Sequence, residues 1–145
     1  MENKKTEKKI AVILVRGTIG IKKPVKDTLH MLRLTRKNHC TIMDKNLGMI
    51  NKVKDYCTWG EIDSELFTEL VKKRGEEYLG PAKDSKGKIN YNRFWVFEDK
   101  KYKKYFRLNP PRKGFGRKGI KMPFGKGGAL GDRGEKINDL IKRMI

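Results

Sequence analysis

Ile10-Ala11-Val12-Ile13-Leu14-Val15 (IAVILV) is apolar at every position. A strand with one wet face alternates polar and apolar side chains. An unbroken apolar run reads instead as a central strand covered on both faces, or covered on one and tightly packed. The run is too short for a signal or a membrane span. The residues before it, MENKKTEKK, are polar and charged, and residues 1–8 are expected to be a flexible tail. Beyond it, Arg16 stands at the strand's end, and Gly17 and Gly20 bracket a loop.

Downstream, Pro24 opens a helix, where its missing N–H costs nothing. Val25, Thr28, Leu29 and Leu32 make the inner face of that helix, and Lys26, His30 and Arg33 the outer one. Arg36-Lys37-Asn38-His39 is a polar turn before a short strand, Cys40–Met43. A second helix is expected from near Leu47 to Asp55, with Leu47, Ile50 and Val53 inward. Tyr56–Glu61 (YCTWGE) reads as a third strand. Asp63 is placed as the N-cap of a third helix, with Ile62 and Phe67 as a hydrophobic staple and Gly75 as its stop. Residues 80–93 read as a loop, and Phe94–Phe97 as a short apolar element. At the end of the chain, Asp132 and Glu135 have capping-box spacing before a helix whose apolar stripe is Ile137, Leu140, Ile141 and Met144. There is no internal repeat.

Charge decides the class of partner. Among 145 residues, 36 are Lys or Arg against 17 Asp or Glu, a net charge of +19. Such a chain repels itself unless a polyanion supplies the counter-charge. An acidic membrane would require an amphipathic basic helix or a lipidation signal, and neither is present. The charge is also concentrated. From Lys100 to Lys126 there is no acid and eleven Lys or Arg, broken by Pro110, Pro111, Gly114, Gly116, Gly119 and Pro123. This stretch cannot build a core of its own. It is expected to be an extended arm with a strand near Tyr105–Leu108, ordering only on binding. Its Tyr102, Tyr105, Phe106, Phe115 and Phe124 offer rings for stacking on bases, although Phe106 above all reads as core.

Catalytic chemistry finds no foothold. Gly114-Phe115-Gly116-Arg117-Lys118-Gly119 matches G-x-G-x-x-G, but prolines on both sides deny it the strand-turn-helix setting of a dinucleotide site. Gly125–Gly128 lacks the hydroxyl that a P-loop needs after its lysine. Ser64 and Ser85 are the only serines, and His30 and His39 have no acid partner visible in the sequence. Cys40 and Cys57 read as small core residues in a reducing compartment, and with His39 they give too few ligands for zinc. Neither catalytic residues nor a metal, cofactor or small-molecule substrate is expected.

Three stretches resemble a known family: Val15-Arg16-Gly17-Thr18; Asp27-Thr28-Leu29-His30-Met31-Leu32-Arg33-Leu34; and Gly48-Met49-Ile50-Asn51-Lys52-Val53-Lys54-Asp55-Tyr56 after Asn38-His39-Cys40. The family is the large-subunit ribosomal protein L-thirty, whose eukaryotic relative is called L-seven. The core resemblance covers residues 9–62. Arg107-Leu108-Asn109-Pro110-Pro111-Arg112-Lys113-Gly114 and Gly127-Gly128-Ala129-Leu130-Gly131 resemble C-terminal signatures of its longer archaeal and eukaryotic branch. An archaeal-type long form is expected.

The resemblance implies an α+β fold: a βαβαβ, ferredoxin-like core with a small antiparallel sheet in the order 3-1-2 and helices on one face. The expected division is a core over 1–62 and an extension over 63–145, comprising a helix over 63–75, a basic Gly/Pro-rich arm over 100–131 and a C-terminal helix over 134–144. The implied function is structural: binding folded large-subunit rRNA, near the 5S RNA as well, beside neighbouring large-subunit proteins in the cytoplasmic ribosome. The residues expected to touch phosphates and 2′-hydroxyls are Arg16, Lys22, Lys23, Arg36, Lys37, Asn38, His39, Lys52 and Lys54 on the core, and Arg112, Lys113, Arg117, Lys118, Lys121 and Lys126 on the arm. The alternative is a general nucleic-acid-binding or packaging protein, which shares the charge but leaves the core motifs unexplained.

Overall fold

In a computed structural model of the chain, the described residues are 9–43, 47–80, 85–88, 94–97, 100–115 and 117–145. The expected N-terminal tail, Gly116 and most of the 80–93 loop lie outside them, as do the side chains of Leu47 and Phe94–Phe97.

The apolar run forms β1 (Ile10–Leu14), which pairs antiparallel on one side with β2 (His39–Met43) and on the other with β3 (Cys57–Glu61). Two strands from the second half of the chain widen this sheet. β6 (Tyr105–Arg107) adds antiparallel to β2, and β7 (Gly131–Asp132) adds parallel to β3, giving the order β6-β2-β1-β3-β7. β4 (Phe94–Phe97) and β5 (Lys100–Lys103) pair as a separate ribbon.

Both faces of β1 are dry because each has its own helical layer. Ile10, Val12 and Leu14 point to a cluster with Leu29 of α1 (Lys23–Met31), then Leu32 and Leu34, and Ile50 and Val53 of α2 (Leu47–Val53). Ala11 and Ile13 point the other way, to Leu66, Leu70 and Val71 of α3 (Ser64–Arg74), Phe106 of β6, and the stripe Ile137, Leu140, Ile141 and Met144 of α4 (Ile137–Met144). As the resemblance implies, the core helices α1 and α2 share one face; α3 and α4, from the extension, cover the opposite one. That second layer answers the apolarity of Ala11 and Ile13, which an open face would leave in water. Cys40 and Cys57 are free and buried, one in each cluster, and burial raises the Cys40 thiol to about 12, so it stays protonated.

Local signals fared unevenly. α1 ends at Leu32, with Arg33 at φ 61; the Arg33 N–H donates to His30 O and the Leu34 N–H to Leu29 O. This is a Schellman ending with arginine where glycine is usual. Asp63 does precede α3, but its side chain caps nothing; its main-chain N–H donates instead to Asn138 Oδ1 at 3.0 Å. The capping box at Asp132 and Glu135 also does not form. Asp132 Oδ1 accepts from the Gly134 N–H at 2.8 Å, opening a 3-10 turn over Gly134–Lys136, and the Glu135 carbonyl accepts from Asn138 Nδ2 at 2.9 Å. Asn138 also donates to Glu61 O at 3.3 Å. This one buried amide therefore ties α4 to the β3–α3 junction. Gly60 allows that approach: a Cβ there would stand 2.2 Å from Gly134 O and 2.8 Å from Ile137 Cβ.

Candidate nucleic-acid interface

Strand register sorts the charges. β1 runs antiparallel to both neighbours, so its exit lies beside the entries of β2 and β3 and the exit of β6. Arg16, the 36–39 turn, the α2–β3 turn and the stretch that leaves β6 therefore meet at one end of the sheet. The Val15 and Arg16 N–H groups both donate to Tyr56 O, the Asn38 N–H donates to Leu14 O, and the Leu108 N–H donates to Asn38 O. The other end of the sheet, where Ile10 faces Met43 and Glu61, leads into Asp63 and Glu65.

At the strand-exit end, the Arg16 guanidinium donates to Asp55 O at 3.3 Å and lies 5.0 Å from the Tyr56 ring centroid. The ring and carbonyl orient the cation without neutralising it. Arg36 and Lys37 are exposed in their turn, and Lys52 and Lys54 are exposed around the end of α2. Lys22 and Lys23 are exposed at the start of α1, reached by the loop that leaves β1. Asn38 is half-buried at φ 67, and its backbone bridges β1 and the arm. His39 departs from the sequence reading. It is only 8% exposed, and its ring stacks on Tyr105 at 5.6 Å. Burial first, then Arg107 and Arg36, lowers its pKa from the usual value, so the imidazole is neutral at neutral pH. Its place is in the packing between β2 and β6, not on the cationic surface.

The arm is held down. The Asn109 N–H donates to Met144 O and the Arg112 N–H to Arg143 O, so the arm leaves the sheet along the end of α4. Arg143 Nη1 returns bonds to Arg112 O at 3.0 Å and Gly114 O at 2.8 Å. Lys113 and Gly114 turn the chain at φ 66 and φ 75. Further on, Val15 packs against Ala129 and Leu130, with Phe115 and Ile120 beside them. Arg133 closes the loop: Nε donates to Thr58 Oγ1 at 2.8 Å, and Nη2 to Phe115 O at 2.9 Å and Ala129 O at 3.0 Å. The arm, expected from the sequence to order only on binding, thus has fixed points on the core. Two arginines late in the chain supply donors to four arm carbonyls that glycines and prolines cannot satisfy among themselves. Arg112, Lys113, Arg117, Lys118, Lys121 and Lys126 all remain exposed on this anchored frame.

The aromatic rings mostly serve that frame. Phe106 is fully buried, Tyr102 and Phe115 pack against the core, Tyr105 stacks on His39, and Arg133 lies 4.6 Å from the Phe124 centroid. Sequence reading missed Arg133, Lys136 and Arg143. For the last two a signal existed, since Lys136, Asp139 and Arg143 recur along one flank of α4, beside its apolar stripe. For Arg133 there was none. Among the described residues, no group of three or more His, Cys, Asp or Glu is placed to hold a metal ion, and no helix is long and apolar enough to cross a membrane.

A βαβαβ sheet whose strand-exit end carries exposed cations suits the binding of a polyanion. The family model described as "Ribosomal protein L30p/L7e" matches residues 10–57, the segment from β1 to the first residue of β3. Similarity continues beyond it. The chain is 45% identical to a "Large ribosomal subunit protein uL30" of Nanoarchaeum equitans, over 93% of this chain and 97% of that one. It is 42% identical to the protein of that name in Methanopyrus kandleri (90% and 100% covered) and 43% to that of Methanococcus maripaludis strain C5 (93% and 98%). The chain belongs to the ribosomal protein L30p/L7e family, in its archaeal-type long form.

Proposed function

We propose that the chain is a structural, non-catalytic constituent of the large ribosomal subunit, in the cytoplasm, and that it seats its cationic end on folded large-subunit rRNA, near the 5S RNA, beside neighbouring subunit proteins. Family membership supports the coarse part of this reading. One observation carries the finer part: the antiparallel register and the anchored arm gather Arg16, Arg36, Lys37, Lys52, Lys54 and the cations that follow β6 toward the end of the sheet where β1 exits. Lys22 and Lys23 extend that surface along the loop to α1.

Such a surface works by neutralising phosphates and releasing counterions, while main-chain and amide groups such as Asn38 reach 2′-hydroxyls. An arm already bent by Arg133 and Arg143 loses less conformational freedom on binding than a free tail would. Each phosphate contact removed should lower the dependence of log K on log salt by about one unit. Arg112→Ala and Lys118→Ala are therefore each expected to weaken binding to large-subunit rRNA and to flatten the salt dependence by about that much, as read by filter binding from low to moderate salt. Unchanged affinity and slope in both variants would remove the arm from the contact surface. Equal affinity of the wild type for duplex DNA would favour a general nucleic-acid binder instead.

A further inference from the structure

α4 turns its apolar stripe to the sheet, and one flank of the helix carries Lys136 (at the helix start), Asp139 and Arg143. The arm passes across that side, bringing Lys113 and Arg117 to face it. Between them is a groove of about 520 Å³ that Arg133 and Phe124 also line. The groove therefore gathers five cations and one carboxylate.

One of those cations, Arg133, lacks the acid that buried charge ordinarily requires. Arg133 is 5% exposed, and its bonds run to a hydroxyl and two main-chain carbonyls rather than to a carboxylate. Its guanidinium lies over the Phe124 ring, and Lys136 Nζ is 5.5 Å from the same centroid, so the ring shelves both charges. Arg143 is paired, Nε to Asp139 Oδ2 at 3.3 Å, but that carboxylate is on a side chain that is 77% exposed and the contact makes no hydrogen bond. An ion pair so open to water is weak compensation. Burial, and next the charge of Arg143, draws the Arg133 pKa down to about 10, which leaves it charged at neutral pH and short of a counter-ion.

We propose that this groove is a built seat for one backbone phosphate of RNA, with Arg133 and Arg143 as its fixed wall and Lys113, Arg117 and Lys136 as the cations that close on it. A phosphodiester fits the donor set: it is singly charged, and its two non-bridging oxygens can accept from several donors at once. The groove is also continuous with exposed charge, since Arg112 precedes Lys113 and Lys118 follows Arg117. A sugar–phosphate backbone would track along that path, whereas a single peptide carboxylate would leave most of it unused. The seat rests on the rRNA-binding reading above and gives that reading a specific address.

The test uses the full chain and large-subunit rRNA. Lys113→Gln, Arg117→Gln and Lys136→Gln are made singly and together; all three side chains are exposed, so the folded state should survive, as the far-UV spectrum and melting curve will show. If the three cations share one phosphate, the triple variant loses affinity and its salt slope falls by about one unit in total, with the single effects far from additive. An additive fall of about three units would mean three separate phosphates and would overturn the seat while keeping the rRNA reading. So would an unchanged triple variant, the result expected if the groove takes an acidic peptide. A wild-type chain that ignored the RNA would remove both.

Discussion

Phe106→Ala should lower the free energy of unfolding by about 3–5 kcal/mol, as a reduced urea midpoint at nearly unchanged slope. Phe106 lies in the basic second half of the chain, yet its side chain is fully buried, packed in one cluster with Ala11 and Ile13 of β1, Cys40 and Ile42 of β2, and residues of α3 and α4. Its strand, β6, is at the sheet edge and holds on through three residue pairs with β2, from His39↔Arg107 to Thr41↔Tyr105. Truncation removes a large ring and leaves a cavity that an edge strand, a central strand and two helices cannot all collapse to fill. The two halves of the chain should therefore melt together in the wild type. A loss below about 1 kcal/mol would mean that β6 is a detachable flap and that the first three strands carry stability alone.

Arg133→Ala should act on the arm more than on the core. The variant strips donors from Phe115 O and Ala129 O and leaves Thr58 Oγ1 without its guanidinium partner. Hydrogen bonds to a charged group contribute about 1.5–3 kcal/mol each, but removing a buried charge also relieves its desolvation, and the freed carbonyls can reach water once the arm lifts. A net cost of about 2–4 kcal/mol is expected for the closed arm, again by those balances. Limited trypsin digestion of the free protein measures it. Cleavage after Arg117 or Lys118 follows the population of the open arm, so it should accelerate by about 30- to 1,000-fold while cleavage in α1 to β3 stays slow. Arg133→Lys should rescue little, because one ammonium cannot reproduce a planar fork reaching three acceptors. A wild-type arm already cut as fast as Arg133→Ala would show that the anchors do not hold in solution.

How much of this was legible in the sequence depended on how local the cause was. The run Ile10–Val15 announced a strand dry on both faces, and the stripes of α1 and α4 announced their own buried sides, because periodicity is a property of neighbouring residues. β7 could not be read. Gly131 and Asp132 carry no strand signal and pair with β3 only because the arm and α4 deliver them there. Arg33, Asn38 and Lys113 hide their left-handed turns for the same reason: a non-glycine at positive φ is fixed by its surroundings. The cationic surface was visible as composition, in the acid-free run Lys100–Lys126. Its geometry was not. Nothing in the spacing of His39 shows that β6 buries it, and nothing in a lone Arg133 separates the clasp of an arm from an ordinary solvated charge.

The central claim is that the strand-exit end of the sheet, with its anchored arm, lies against folded large-subunit RNA. Crosslink mapping tests it most directly: the full chain is bound to large-subunit rRNA, washed at high salt, and its RNA-linked residues identified. Links should cluster at Arg16, the Arg36–Asn38 turn, Lys52–Lys54 and the arm from Arg112 to Lys126. Links concentrated instead around Asp63–Glu69, or RNA lost entirely in moderate salt, would contradict the account.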